Sequence, residues 1–217
     1  MTARAVAHLR RADPVLARVM AAVGPCRYRL HGRVPPFSAL VSSICYQQIS
    51  GFAAAAILRR LQEAAGRRHP RPREVSALSD ETLRAVGLSR QKISYLRDLC
   101  RKAEEGVLRR LHRLDDEAVI EALSSVRGIG RWTAEMFLMF RLGRPDVLPV
   151  DDYGIRKAMQ GAYRLRALPK ADWMRRKAEA WRPHRTIACW YLWQSVDRKL
   201  TKRPPRAAAA PRRRRAS

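Results

Sequence analysis

The sequence predicts an all-α protein, and three observations support that prediction. Apolar residues recur at helical spacing along the chain, no hairpin signal joins two alternating runs, and Ser or Asp stands ahead of several of the periodic segments. With 217 residues, the chain is long enough for one domain with a real core, or for two small lobes that share a cleft.

The first half of the chain is predicted to form a series of short helices with marked starts. Asp13 and Pro14 are a cap and first-turn pair that opens a helix ending near Val23. A helix after Pro36 is interrupted at Ser50, which caps the next helix. Residues 66–72 are expected to form a basic loop. Three further helices are expected to begin at Ser79, Ser89 and Asp115.

In the second half, a break with two glycines at 126–130 precedes a helix expected over about 131–141. A loop containing Gly143 and two prolines leads to a helix over 153–163, which Asp151 and Asp152 open and for which Asp151 is expected to serve mainly as a cap. Two last helices are expected at about 173–181 and 183–199, with Pro183 in the first turn of the second. Residues 201–217 form a Pro/Ala/Arg tail that is expected to be disordered.

The charge of the chain indicates a polyanionic partner, and nucleic acid is the default choice. Lys and Arg number 45 against 19 Asp and Glu, a net charge of +26. The segment from residue 198 to the end holds nine basic residues and no acid, so removing it still leaves +17 on the rest. A charge that serves only solubility, or only a basic tail, is the alternative explanation, and the basic body disfavours it.

Several classes of protein are disfavoured by the same sequence. The four cysteines are far apart with no CxxC pair, which argues against a zinc site and against an iron–sulfur cluster. The longest uncharged stretch, 34–58, carries too many polar residues for a bilayer span, and no signal peptide is evident. We therefore expect no membrane partner and a cytoplasmic protein, associated with the nucleoid if bacterial.

The glycine break lies between two predicted helices, over about 115–141. Gly128 and Gly130 let the backbone approach a ligand closely, and the helix that follows adds its partial positive charge. Arg127 and Arg131 flank the break, so the arrangement suits a phosphate group. An ordinary helix connection is the alternative, but the basic charge of the chain favours phosphate binding.

Several motifs along the chain together resemble a known family. Residues 126–134 (VRGIGRWTA), the 143–149 Gly/Pro loop and Asp152 resemble the helix-hairpin-helix (HhH-GPD) DNA glycosylase superfamily. Residues 46–50 (YQQIS), 149–153 (PVDDY) and 181–185 (WRPHR), with Trp193, resemble its DNA-3-methyladenine glycosylase II (AlkA-like) branch. The resemblance spans about 34–200. It implies a two-lobed helical domain over 1–200 with the active-site cleft between the lobes.

The resemblance assigns the catalytic carboxylate to Asp152, because that acid stands three positions before an apolar helix residue, here Ile155. A carboxylate at a helix start is held ionised by the helix dipole and by N–H groups. Cleavage of a glycosidic bond builds a cation on the sugar, which a fixed anion stabilises. A simple N-cap is the alternative, and one side chain can fill both roles.

The resemblance also implies a base pocket and a mechanism class. Trp132 and Trp193 correspond to pocket tryptophans, and Tyr46 is a third candidate wall, although a tryptophan of no known role is more often a core residue. Family members that also cut the backbone use a Lys at the position of Trp132, so a monofunctional enzyme is expected. Another family pocket aromatic is Met136 here, which can alter lesion preference.

Two further roles follow from the resemblance alone. Gln48 corresponds to the wedge that fills the gap left by a flipped base. Backbone carbonyls of Ser124, Val126 and Ile129 correspond to a site for Na⁺ or K⁺; no other cofactor is expected.

The sequence thus predicts a monomeric glycosylase that removes alkylated purines of the 3-methyladenine and 7-methylguanine class from double-stranded DNA and leaves an abasic site. Two alternatives stay open: a non-enzymatic hairpin DNA-binding protein, and a glycosylase for deaminated or oxidised bases.

Overall fold

The structure, a computed structural model, describes residues 2–30 and 34–198, and within them it is helical with no strand. The all-α prediction is confirmed. Phe137–Leu142 is a π-helical segment, and 3₁₀ turns cover Leu111–Arg113 and Glu179–Trp181. The α-helices are α1 (Thr2–Ala12), α2 (Pro14–Val23), α3 (Pro36–Tyr46), α4 (Gly51–Ala64), α5 (Pro72–Ser76), α6 (Asp80–Ala85), α7 (Arg90–Glu104), α8 (Asp116–Ser124), α9 (Arg131–Met136), α10 (Tyr153–Ala162), α11 (Ala171–Ala178) and α12 (Arg185–Asp197).

The chain divides into two compact units. The first unit combines Met1–Cys26 with Val150–Ser217, and the second is Arg27–Pro149. The expected cleft between two lobes stays a prediction, and the tail at 201–217 lies outside the described residues. No helix in the described part of the chain is long and apolar enough to cross a bilayer.

Local capping explains why five helices begin where the sequence indicates. At each of these five starts, a side-chain oxygen accepts a backbone N–H from the first turn, which satisfies a group that the helix itself leaves unpaired. These caps are Asp13, Ser50, Ser79, Ser89 and Asp115. The predictions for these five starts are confirmed.

The first unit is tied together by the buried carboxylate of Asp13. Its Oδ1 accepts the first-turn N–H groups of α2, at 2.9 and 3.1 Å. Its Oδ2 accepts the hydroxyl of Tyr163, at 2.5 Å, and the indole N–H of Trp181, at 3.0 Å. The Lys177 ammonium lies 3.3 Å from the same oxygen. One side chain therefore links α2 to the end of α10 and to the segment after α11.

The pKa of Asp13 lies below its usual value despite this burial. Burial by itself raises the pKa, but the hydrogen bonds from Tyr163 and Trp181 and the charge of Lys177 outweigh it. Since the folded pKa is lower than the unfolded pKa, ionised Asp13 contributes stability above the unfolded value. That contribution is lost as the pH falls through the folded value.

The second unit is built on α3 and α7. Leu40, Val41 and Ile44 of α3 are buried, as are Leu96 and Leu99 of α7. None of the four cysteines, all within the described residues, forms a disulfide, and three of them, Cys45, Cys100 and Cys189, are buried. These three serve as small packing residues.

Three features differ from the sequence prediction. Helix α1 was missed, although its two buried residues, Ala5 and Leu9, stand one turn apart. Helix α5, which begins at Pro72, was also missed; only the basic loop before it was predicted. The prediction that Pro183 lies in the first turn of the last helix is wrong. A turn closed by the hydrogen bond from His184 N to Trp181 O contains Pro183, and α12 begins only at Arg185.

The Asp13 network makes a prediction about stability. Asp13→Ala should lower the free energy of unfolding by about 3 kcal/mol, because it removes the cap of α2 and leaves buried donors without their acceptor. Asp115→Ala is the matched control, since it removes an exposed cap and should cost about 1 kcal/mol. Urea denaturation at pH 7 measures both. Equal losses for the two variants would contradict the role of Asp13.

Candidate active site

Asp152 is the N-cap of α10, and only 8% of it is exposed. Its Oδ1 accepts the backbone N–H of Ile155 at 2.7 Å and the indole N–H of Trp193 at 2.9 Å. Two donors on one oxygen fix the position of the carboxylate.

Gly154 permits the close approach of Trp193 to Asp152. A Cβ added to Gly154 would lie 3.1 Å from Asp152 Oδ1 and 3.1 Å from Trp193 Cδ1, so the neighbours would have to move. Trp193 is half-buried on α12, which packs against α10. Gly154 is not among the predicted site residues; a glycine in the first turn of a helix, two positions after the catalytic candidate, was the available signal.

The prediction that Asp151 serves mainly as a cap of this helix is wrong. Asp151 is exposed and precedes the cap position, whereas the Asp152 side chain makes the capping bond. The capping role and the role expected from the family resemblance therefore fall on the same carboxylate.

In the second unit, the predicted hairpin connects α8 to α9. Its two glycines differ in whether the local structure would tolerate a side chain. Gly128 has a φ of +81°, and an added Cβ would lie 2.2 Å from the ring of Tyr95. Both the backbone and the contact therefore require glycine at this position. Gly130 caps α9 in extended backbone, and an added Cβ would enter open space. The fold itself therefore does not require glycine at position 130, although a closely bound ligand would.

Two polar side chains outside the hairpin hold it in place. The carboxylate of Asp98 accepts the backbone N–H of Arg127 at 2.7 Å, and Gln47 Nε2 donates to the carbonyl of Gly128 at 2.8 Å. Burial raises the pKa of Asp98, but the Arg127 N–H and the Arg101 guanidinium lower it by more. The pKa of Asp98 therefore lies below its usual value. Sequence reasoning missed these anchors because they are 29 and 81 residues from their partners.

The two arginines assigned to phosphate binding have different surroundings. The Arg127 side chain is exposed. The Arg131 guanidinium makes two hydrogen bonds to Glu117, at 3.0 and 2.5 Å, and a third at 3.3 Å to Glu135. Three of the five guanidinium N–H groups of Arg131 therefore already have an acidic partner. The predicted phosphate role therefore has better support at Arg127 than at Arg131.

The candidate pocket and wedge residues of the second unit lie at its surface. Trp132 is 50% exposed and Tyr46 is 43% exposed, so neither is a core residue. Gln48 is exposed, with a φ of +58° that is uncommon for a residue other than glycine. Of the three tryptophans expected in the core, Trp181 and Trp190 are buried, whereas Trp173 is only partly buried. The pocket and wedge roles themselves stay predictions.

The residues assigned to a monovalent cation, Ser124, Val126 and Ile129, line one surface depression with the rest of the hairpin. The Val126 carbonyl already accepts the N–H of Ile129 at 3.0 Å, which leaves its second lone pair for a ligand. Within 2–30 and 34–198, no group of three or more His, Cys, Asp or Glu side chains could hold a metal ion.

Comparison with known proteins places this geometry in context. Residues 41–183 match the family described as HhH-GPD superfamily base excision DNA repair protein. A Schizosaccharomyces pombe protein named DNA-3-methyladenine glycosylase 1 is 34% identical over 197 residues, which cover 88% of this chain and 86% of that protein.

Two solved structures are similar to this one. A DNA-3-methyladenine glycosidase from Bacillus halodurans has a TM-score of 0.79 and 36% identity, with 88% of each chain covered. An S. pombe 3-methyladenine DNA glycosylase in complex with abasic DNA has a TM-score of 0.77 and 34% identity. That match covers 89% of this chain and 97% of the other.

The hairpin glycines make a second stability prediction. Gly128→Ala should lower the free energy of unfolding by about 3 kcal/mol, since it combines a positive φ with a clash against Tyr95. Gly130→Ala is the control, and its effect should stay within about 0.5 kcal/mol. Chemical denaturation followed by circular dichroism compares them. The account of the hairpin is wrong if the two variants are equally stable.

Proposed function

The chain belongs to the HhH-GPD superfamily of base excision DNA repair proteins, and on that premise we propose that it is a monofunctional DNA glycosylase. It hydrolyses the N-glycosidic bond of alkylated purines, of the 3-methyladenine and 7-methylguanine class, in double-stranded DNA and leaves an abasic site. The observation that carries the proposal is the Asp152 carboxylate, fixed by Ile155 and Trp193 at the start of α10.

Asp152 stabilises the charge that develops during bond cleavage. As the bond from C1′ to the purine nitrogen breaks, its electron pair leaves with the base and positive charge builds on the sugar. A fixed carboxylate near that sugar lowers the barrier without having to reorient. Water then adds to C1′, and Asp152 orients it and accepts its proton.

The leaving base needs little help, because a purine alkylated at N3 or N7 carries a positive charge and departs neutral. Trp132 stacks on such a ring and gains a cation–π attraction of about 0.5–2 kcal/mol. Trp132 also occupies the position where a bifunctional enzyme has a lysine, so no amine is present there to form a Schiff base with the sugar. The reaction therefore ends at the abasic site.

The hairpin and the basic charge provide DNA affinity. The hairpin backbone at 127–130 approaches a phosphate, with Arg127 beside it, and the net charge of +26 adds salt-sensitive attraction. Gln48 fills the space left by the flipped nucleotide. A Na⁺ or K⁺ ion held by the carbonyls of Ser124, Val126 and Ile129 would supply further positive charge to the phosphate.

The alternative of a non-enzymatic DNA-binding protein is disfavoured by the arrangement around α10. Binding of the DNA backbone needs no buried carboxylate, no indole N–H directed at it and no glycine that makes room for both. These features suit a site that must hold an anion at one place.

Asp152→Asn tests the central role of the carboxylate. Asparagine still caps a helix, so the fold should persist, but the charge is gone and release of 7-methylguanine from methylated duplex DNA should fall by at least about 100-fold. Asp151→Asn is the matched control and should retain the wild-type rate. Chromatography of the released bases measures both. Wild-type release by Asp152→Asn would show that the mechanism is wrong.

Trp193→Phe separates positioning from stacking. Phenylalanine keeps a ring but lacks the N–H that donates to Asp152, so the single-turnover rate should fall about 10-fold, equivalent to about 1.4 kcal/mol. Affinity for a duplex with an abasic site should change less than twofold. An unchanged single-turnover rate with weakened duplex binding would mean that Trp193 only lines the base pocket and does not position Asp152.

A further inference from the structure

Phe52 is the most exposed large apolar side chain of the described residues, with 89% of its surface open. It stands in the first turn of α4. Tyr46 is 43% exposed and Ile49 is 40% exposed, so three large apolar side chains are exposed within seven residues of the chain. We call residues 46–52 the apolar turn. A clustered apolar surface of this kind indicates a binding partner.

The apolar turn is a fixed element of the second unit. The ammonium of Lys92 donates to the carbonyl of Cys45 at 2.8 Å, at the end of α3. The hydroxyl of Ser50 accepts the N–H of Ala53 at 3.3 Å, which caps α4. Phe52 is therefore exposed in the first turn of a capped helix that follows the anchored end of α3.

The apolar turn is also attached to the hairpin. Gln47, within the turn, donates its side-chain N–H to the carbonyl of Gly128 at 2.8 Å. Both elements belong to the second unit, so their relative position is set inside one compact body. The apolar turn therefore lies next to the hairpin, so a duplex bound at the hairpin would be close to it.

Charge indicates which part of the duplex the apolar turn meets. Residues 34–58 contain no charged side chain, in a protein with a net charge of +26. An uncharged aromatic residue gains little from phosphates but gains stacking energy from bases. Apolar side chains such as Phe are common wedges between base steps.

We propose that Phe52 is a second DNA-inserting residue, which stacks on the bases beside the flipped nucleotide while Gln48 fills the gap. The inference rests on the proposed function, because it takes damaged duplex DNA as the partner. It adds a specific role for this chain's own aromatic residue: Phe52 helps to hold the unstacked state and so contributes to recognition of the site before any bond is cleaved.

The test compares Phe52→Ala and Phe52→Trp with wild type and with the control Leu114→Ala, which truncates another exposed apolar residue of the second unit. The probe is a duplex with a tetrahydrofuran abasic analogue and 2-aminopurine at the adjacent base. Phe52→Ala should bind this duplex about 10-fold more weakly and should lose most of the 2-aminopurine emission change. Phe52→Trp and Leu114→Ala should match wild type in both duplex affinity and 2-aminopurine emission change.

The inference is overturned if Phe52→Ala binds the duplex and alters the 2-aminopurine emission as wild type does. It is also overturned if sedimentation shows that Phe52→Ala only abolishes self-association, with DNA affinity unchanged, since the apolar turn would then contact a second copy. The proposed function fails separately, if wild-type protein releases no 7-methylguanine. The binding assay needs no catalysis, so the two failures are distinguishable.

Discussion

A single oxygen, Oδ1 of Asp152, accepts the backbone N–H of Ile155 in the first turn of α10 and the indole N–H of Trp193 on α12. A nearly buried carboxylate is costly unless its hydrogen bonds are made. Here the same bonds that remove that cost also fix the anion in one place. Gly154 makes room for this arrangement, since a side chain there would push against both partners. The catalytic proposal depends on this geometry.

The rest of the first unit supports the same helix from its other end. Tyr163, the residue after α10, donates to Asp13, and Asp13 in turn caps α2 and accepts the indole N–H of Trp181. Helix α10 is thus held by one acidic residue at each end, and each acid has a tryptophan as donor. A structure that fixes α10 in this way limits the movement of Asp152, which suits electrostatic stabilisation of a transient cation.

The sequence predicted what is encoded locally. Caps such as Ser50 and Asp115 form bonds within three residues, so their patterns are visible in the sequence. Contacts between distant positions were not predictable: Gln47 with Gly128, Asp98 with Arg127, and the pairing of Arg131 with Glu117 depend on tertiary packing. The family motif found Asp152, but it did not indicate that Trp193 would direct its N–H at that carboxylate.

The most direct test of the central claim is a binding measurement that varies only charge at the sugar. Duplexes with a cationic pyrrolidine abasic analogue and with the neutral tetrahydrofuran analogue are titrated against wild type and Asp152→Asn. The account predicts that wild type prefers the cationic duplex by about 10-fold or more, as expected for a transition-state mimic, and that the variant loses this preference. An equal preference in both proteins would contradict it.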